Sequence, residues 1–317
     1  MNSYSKTKGW SWVPSLYFAE GLPYAFVMIV SVVLYKKLNI SNTEIALYTS
    51  WLYLPWVIKP LWSPFVDIIK TKRYWIVLTQ LVIGASLAGV ALTIPTTNAL
   101  QYTLVFFWLM AFSSSTHDIA ADGFYMLGLS SHDQSWFIGI RNTFYRFAIL
   151  FGQGIIVIIA GQLENITGNL KLAWSLVFGI LSGLFIILAA YHKWALPRPK
   201  NDQEEFNTAK EDIVKEYFEI IKAYFKKPQI LLIVLFILLY RFGEAQLVKI
   251  APLFMLDSYE SGGLGLSTSE YGFIYGTLGI AMLTLGGIVG GFFIAKNGLK
   301  YWIIWMALAM KLPDLVY

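Results

Sequence analysis

Eight charged side chains fall inside stretches of the sequence that are otherwise apolar: Glu20, Asp118, Asp122, Arg141, Arg146, Arg241, Glu244 and Lys249. At the centre of a bilayer such a residue costs about 2.5–3.5 kcal/mol even on a mild insertion scale, so each is expected to face a protein interior or a water-filled cavity. The chemistry open to them is proton binding, ion pairing and recognition of a polar solute. Glu20 is the leading candidate for proton binding. It is followed by Gly21 and Pro23, which weaken helical hydrogen bonding and bend a helix around a cavity. A dry neighbourhood would let it take up a proton, and a neighbouring arginine would hold it ionised in a structural role. Asp118 and Asp122 are four residues apart and share one helix face. At 1.5 Å of rise per residue, Asp118 and Arg141 reach similar depths on two antiparallel helices and are expected to pair. That pair is either part of a gate or proton-linked cluster, or a static bond that orients two helices. Arg146 belongs to the same group. Arg241 and Glu244, three apart, pair with each other or across a cavity, in a structural or a substrate-binding role.

These residues exclude several enzymatic chemistries. An aspartyl protease needs carboxylates converging from separate helices to share a proton, whereas Asp118 and Asp122 lie on one. His117, His132 and His192 are too scattered in sequence for a metal triad. With no cysteine, disulfides and thiolate metal sites are out. No metal, no cofactor and no catalytic residue is assigned, and the chain is expected not to be an enzyme.

The elements that position these groups are membrane helices. Of 317 residues 57% are hydrophobic and 14% charged, and the mean hydropathy is +0.58, where a soluble domain carries about a quarter charged residues. The apolar runs approach the roughly 20 residues that cross a bilayer. They predict helices over 11–34, 44–66, 74–94, 101–126, 137–160, 172–191, 230–254 and 271–294, with a ninth from about 301. With the N-terminus in the cytoplasm, Lys6, Lys8, Lys70, Lys72, Arg73, Lys296, Lys300 and the basic residues of 192–228 lie inside. Only Lys36, Lys37 and Lys171 then lie outside. The net charge of +5 is therefore a topology signal and does not point to nucleic acid.

Segment 192–228 breaks the composition. Ile213, Tyr217, Ile220, Ile221 and Tyr224 follow a charged stretch at helical spacing, which fits an amphipathic helix on the inner membrane surface or a solvated linker. The segment divides the chain into 1–191, a six-helix repeat, 192–228, and 229–317, a partial second repeat. Leu16-Tyr17 with Glu20 recurs as Leu239-Tyr240 with Glu244. Ser41 to Glu44 and Ser267 to Glu270 have capping-box spacing 226 residues apart. Two such repeats are the plan of carriers that rock around a midplane site. Six spans in the second half would run past Tyr317, so the chain is expected to be a piece of a twelve-span protein. Tyr17, Tyr24, Trp51, Tyr53 and Trp56 crowd the first two spans, where they either stack on a ring-bearing substrate or mark a membrane interface.

At Ser63-Pro-Phe-Val-Asp67, followed by Lys70, Lys72 and Arg73, the chain resembles the loop motif between spans two and three of the major facilitator superfamily. Gly291, Lys296, Gly298 and Lys300 resemble its second copy. Both copies are degenerate: Ser63 replaces the usual glycine, and Ala295 the second acidic residue. The resemblance implies that Asp67, Lys72 and Arg73 latch a cytoplasmic gate, joined by Asp122. Leu16-Tyr-Phe-Ala-Glu-Gly-Leu-Pro-Tyr24, Lys59-Pro-Leu-Trp-Ser-Pro64 and Ser115-Thr-His-Asp-Ile-Ala-Ala-Asp122 together resemble the AmpG-type permease family, with His117 where that family often has Gln. That likeness implies an all-α, two-repeat helix bundle of the bacterial inner membrane that imports an anhydro-muropeptide or related saccharide with protons. Related acetyl-CoA carriers, other small-solute carriers and a non-transporting sensor or remnant stay open. The partners so implied are the lipid bilayer, a small-molecule substrate and protons, with a monomeric protein and no nucleic acid.

Overall fold

The protein is described by a computed structural model covering residues 9–199, 218–219, 222–223 and 226–279, with isolated positions at 202 and between 281 and 308. The five apolar positions of the 192–228 segment, the second loop motif and the ninth span's course lie outside the described residues.

Among the described residues every regular element is helical. Helix α1, Val13–Lys37, is buried along most of its length, and past Pro23 it loosens into a π turn at Phe26–Val30. A proline lacks the N–H that an α-helical ladder needs, so a change of hydrogen-bond register here has a local cause. The second span is not the single helix expected over 44–66. It is broken into α2 (Asn42–Trp51), α3 (Leu54–Ile58), a 3₁₀ turn at Lys59–Leu61 and α4 (Ser63–Ile69). Pro55, Pro60 and Pro64 each fall in the first two positions of a new piece, where the missing N–H costs nothing. Helix α5 is Lys72–Thr93 and α6 is Ala99–Gly128. Helix α7 (Ser131–Leu150) runs through a π turn at Phe151–Ile156 into α8 (Val157–Thr167). Gly168 ends it at φ 60°, a left-handed conformation that glycine adopts without strain. Helix α9, Leu170–Ala195, extends four residues beyond the expected 191 and takes in His192. Helix α10 is Ile230–Leu256, and α11, Thr268–Tyr271, leads into a π turn at Gly272–Leu278.

Four of these stretches are long and apolar enough to cross a membrane: Val13–Lys37, Lys72–Thr93, Trp136–Thr167 and Leu170–Ala195. The outward faces of these and of α6 carry large apolar side chains, among them Leu92, Val105, Ile180 and Ile187, each more than 60% exposed. An aqueous surface would not tolerate such a belt, and a lipid one requires it.

Two close approaches set the architecture. Helix α1 packs on α7 through small residues: a Cβ at Gly21 would lie 2.7 Å from the Tyr145 carbonyl oxygen, and one at Gly152 would lie 2.7 Å from the Ala25 Cβ. The two halves meet across the π turns of α7–α8 and of the segment after α11. There a Cβ at Gly154 would lie 2.8 Å from Thr277 Oγ1, and one at Gly276 would lie 2.6 Å from the Gln153 carbonyl oxygen. Glycines let the backbones touch, which drives helix association where lipid leaves little hydrophobic force.

Further bonds between the halves gather at the end of the bundle that carries Lys36. Lys36 bonds Asp257, and Asn42 Nδ2 donates to Asp257 at 2.8 Å. Thr268 donates to Glu164 at 3.2 Å, with Lys37 3.2 Å from the same carboxylate. Lys249 Nζ donates to the Thr49 carbonyl oxygen at 3.2 Å.

Candidate functional site

Two charge clusters lie one helical turn apart between α1 and α6. In the first, Glu20 of α1 meets His117 and Asp118 of α6: one oxygen of each carboxylate and a ring nitrogen of the histidine lie within 4.8 Å of one another. All three residues are at least 92% buried. Glu20 Oε2 and His117 Nδ1 are sealed from water without a hydrogen-bond partner. Lys59, from the 3₁₀ break of the second span, reaches Asp118 at 3.7 Å, and Trp56 also bonds that carboxylate. Lys59 and Trp56, three residues apart, reach the same carboxylate from one face of the broken second span.

In the second cluster Arg141 Nη1 lies 3.1 Å from Asp122 Oδ1 and donates to the Tyr17 hydroxyl at 2.9 Å. The Tyr17 hydroxyl in turn donates to Asp122 at 3.1 Å. The guanidinium lies over the Tyr17 and Tyr125 rings, 4.7 and 4.9 Å from their centroids. The expected Asp118–Arg141 pair is therefore not formed: Arg141 takes Asp122, and Asp118 takes Lys59. Depth was matched well enough, but α7 packs mainly on α1 and touches α6 only lightly. Arg141 thus reaches α6 only past Tyr17, one turn nearer the Arg73 end, where its head is better solvated.

A third feature has no counterpart in the sequence analysis. Gln80 of α5 places its amide nitrogen 2.9 Å from His117 Nε2 and its amide oxygen 2.9 Å from His192 Nδ1. His192 Nε2 is 3.0 Å from Ser15 Oγ. This buried chain ties α1, α5, α6 and α9 together. The histidines look scattered in sequence, yet two of them share one glutamine. The available signal was the polar trio Gln80, His117 and His192 inside three apolar spans.

The other candidates divide. Arg146 is exposed on α7 and joins neither cluster. Backbone at Arg241 and Glu244 lies in α10, but their side chains, like that of Asp67, lie outside the described residues. Lys72 and Arg73 open α5, where the Asp202 carboxylate accepts from the Lys72 N–H at 2.9 Å, and Arg73 bonds the Lys193 carbonyl. Asp122, expected to join them, takes Arg141 and Tyr17 instead. Of the aromatics, Tyr24, Tyr53 and Trp56 form one group, with Tyr24 and Trp56 centroids 5.4 Å apart at 81°. Its Trp56 edge bonds Asp118. Tyr17 is buried against Arg141, and Trp51 points outward.

A bundle of interrupted apolar helices that buries charge between its helices, with bonds between its two halves gathered at one end, fits a secondary-carrier architecture. Residues 15–312 match the family model of the Major Facilitator Superfamily, and the chain belongs to that superfamily, a family of membrane transporters and not of enzymes. It is 25% identical to a Rickettsia prowazekii protein named AmpG 3, over 87% of this chain and 65% of that protein. It is 24% identical to the anhydromuropeptide permease of Escherichia coli K12, over 89% of this chain and 54% of that one. The chain thus spans between about half and two thirds of the length of these relatives. A bacterial homologue of the human lysosomal transporter Spinster, solved inward-facing and unoccupied, superposes with a TM-score of 0.65 at 16% identity, over 95% of this chain and 64% of its own. That likeness establishes the fold.

Proposed function

We propose that the protein is a proton-coupled importer of an anhydro-muropeptide or related saccharide in a bacterial inner membrane, with its N-terminus in the cytoplasm. In this reading residues 1–191 and 229–317 belong to two rocking repeats, and the bonds at the Lys36 end close the outer gate. The observation that carries it is the Glu20–Asp118–His117 cluster. Two carboxylates face one ammonium, Lys59, so the cluster is short of one positive charge, and Glu20 keeps an unpartnered buried oxygen. One proton makes it neutral. A divalent metal would leave it positively charged in a dry site, which is unfavourable.

Coupling follows from that charge count. With the site open outward, a proton neutralises the cluster; after the halves rock, the inner water takes it away. The Tyr24, Tyr53 and Trp56 rings beside Asp118 offer faces on which a sugar ring can stack. The name of the Escherichia coli relative supplies the muropeptide. The Asp122–Arg141–Tyr17 cluster, with Lys72 and Arg73 beyond it, belongs to the inner gate. The protein acts as a monomer, in contact with lipid, solute and protons.

Membrane vesicles from cells making the protein test this with a labelled anhydro-muropeptide. Accumulation under an inward proton gradient, collapsed by an uncoupler, is expected. Accumulation indifferent to the uncoupler would remove the coupling, and no uptake of the muropeptide would remove the substrate.

A further inference from the structure

Proton uptake at Glu20 requires no histidine, yet the buried His117 lies against both carboxylates and is held from behind by Gln80. The hydrogen-bond chemistry of that hold has one polarity. An amide nitrogen can only donate and an amide oxygen can only accept. Gln80 therefore donates to His117 Nε2 at 2.9 Å, and its oxygen accepts from His192 Nδ1 at 2.9 Å. His117 Nε2 then carries no hydrogen of its own, so the proton of the neutral ring is on Nδ1, which is buried without a hydrogen-bond partner. The opposite amide orientation would leave Nδ1 as a bare, buried lone pair in a cluster already short of positive charge. Charging the ring would require a second proton on Nε2, where the Gln80 N–H already points.

We infer that Gln80 is a positioning residue of proton coupling: it holds His117 neutral, with its proton on Nδ1, beside the Glu20–Asp118 pair and prevents the imidazole from taking the transported proton. The inference rests on the proton-coupled reading and deepens it by naming what keeps the proton on the carboxylates. The titratable groups around His117 are Glu20 from α1, Asp118 on its own helix, which Lys59 reaches from the break in the second span, and His192 from α9. Asp122 is one turn away and occupied by Arg141. His192, anchored at Ser15 at 3.0 Å, is the backstop that keeps the Gln80 amide from rotating.

The protein has three histidines, so each ring signal of the ¹⁵N-histidine-labelled full chain in nanodiscs can be assigned by one replacement. His117 and His192 are expected as neutral Nδ1–H tautomers, unchanged from pH 5 to 8. In Gln80→Glu the carboxylate can only accept, so His117 should turn to the Nε2–H tautomer while His192 stays. In Gln80→Leu the His117 tautomer should become mixed. His117→Asn keeps an N–H near the Nδ1 position and should retain the wild-type pH profile of uptake, whereas His117→Leu should move that profile to higher pH. Finding His117 as Nε2–H in the unaltered protein would overturn the inference, as would a tautomer unmoved by both Gln80 changes. Should Gln80→Leu not fold, Gln80→Glu and His117→Asn, which preserve polarity and size, carry the test. Uncoupler-sensitive accumulation by the unaltered protein separates the two levels. Its absence removes the coupled reading and this inference with it. Its presence with contrary histidine spectra removes the inference alone.

Discussion

The two charge clusters between α1 and α6 contain the same kinds of groups and are built to opposite rules. In the Asp122 cluster the ion pair is 3.1 Å long, the tyrosine hydroxyl bonds both partners, and the Asp122 side chain is 48% exposed. In the Asp118 cluster the pair is stretched to 3.7 Å with Asp118 11% exposed, and neighbouring Glu20 has a buried oxygen with no partner. An unpaired buried carboxylate is costly, and a fold under no functional demand would shed it. In the Asp122 cluster the carboxylate is paired, so binding a proton would relieve nothing there, although Arg141 Nε is buried without a partner. The Asp118 cluster is the one that a proton would relieve. Burial and the unpartnered carboxylate oxygen separate the two, and the count of charges does not.

The comparison breaks most visibly at Glu20. Glu20→Gln should abolish uncoupler-sensitive accumulation, a loss on the order of a hundredfold, or roughly 2.7 kcal/mol, while exchange of labelled for unlabelled solute continues. Vesicle assays run in both modes check this; loss of both would mean that the glutamate holds the structure together. Next in size is Arg141→Ala. A fully buried pair broken on one side costs about 3–5 kcal/mol, but Asp122 is half exposed, so solvent screening reduces the expected loss of stability to roughly 1 kcal/mol. Thermal unfolding of the single and double variants should give a coupling between positions 122 and 141 and none between 118 and 141. Coupling of 118 to 141 would mean that the arginine changes partner during the cycle.

Much of this was legible before any coordinates. Span positions followed from apolar run length, and Glu20 and Asp118 announced themselves by their price in lipid. The capping residues Ser41 and Ser267 were readable from spacing, and both accept the expected backbone N–H, with the full reciprocal box at Ser267. Three things were not legible, each for a physical reason. The second span reads as one apolar run because hydropathy does not register the three prolines at which the helix breaks. Partner choice at Arg141 depends on which helices touch, and depth along a helix carries no information about that. The Gln80 chain joins residues 37 and 112 positions apart, a convergence that no local periodicity encodes.

The smallest effect concerns the third place where charge is concentrated, the Lys36 end. Burial alone would push Asp257 up, but the hydrogen bonds from Lys36 and Asn42, together with the Lys36 charge, outweigh it and hold this carboxyl below its ordinary value. A carboxyl depressed in the closed state strengthens that state at pH above its ordinary value, near about 3.9. The contribution is lost only as pH falls through the lower, depressed value. Across pH 5 to 8 the latch is therefore insensitive to protons. Asp257→Asn should weaken closure by roughly 0.5–1 kcal/mol, as for a largely solvent-screened pair, which corresponds to about a two- to fivefold shift toward the open state. The chain has no cysteine, so Ser258→Cys, lining the cavity of about 410 Å³ beside Lys36 and Asp257, gives a unique maleimide site. Labelling should be about two- to fivefold faster with Asp257→Asn than without, at a ratio constant from pH 5 to 8. A ratio that changes within that window would mean the latch titrates there, and that the end of the molecule assigned to the outer gate takes part in sensing protons.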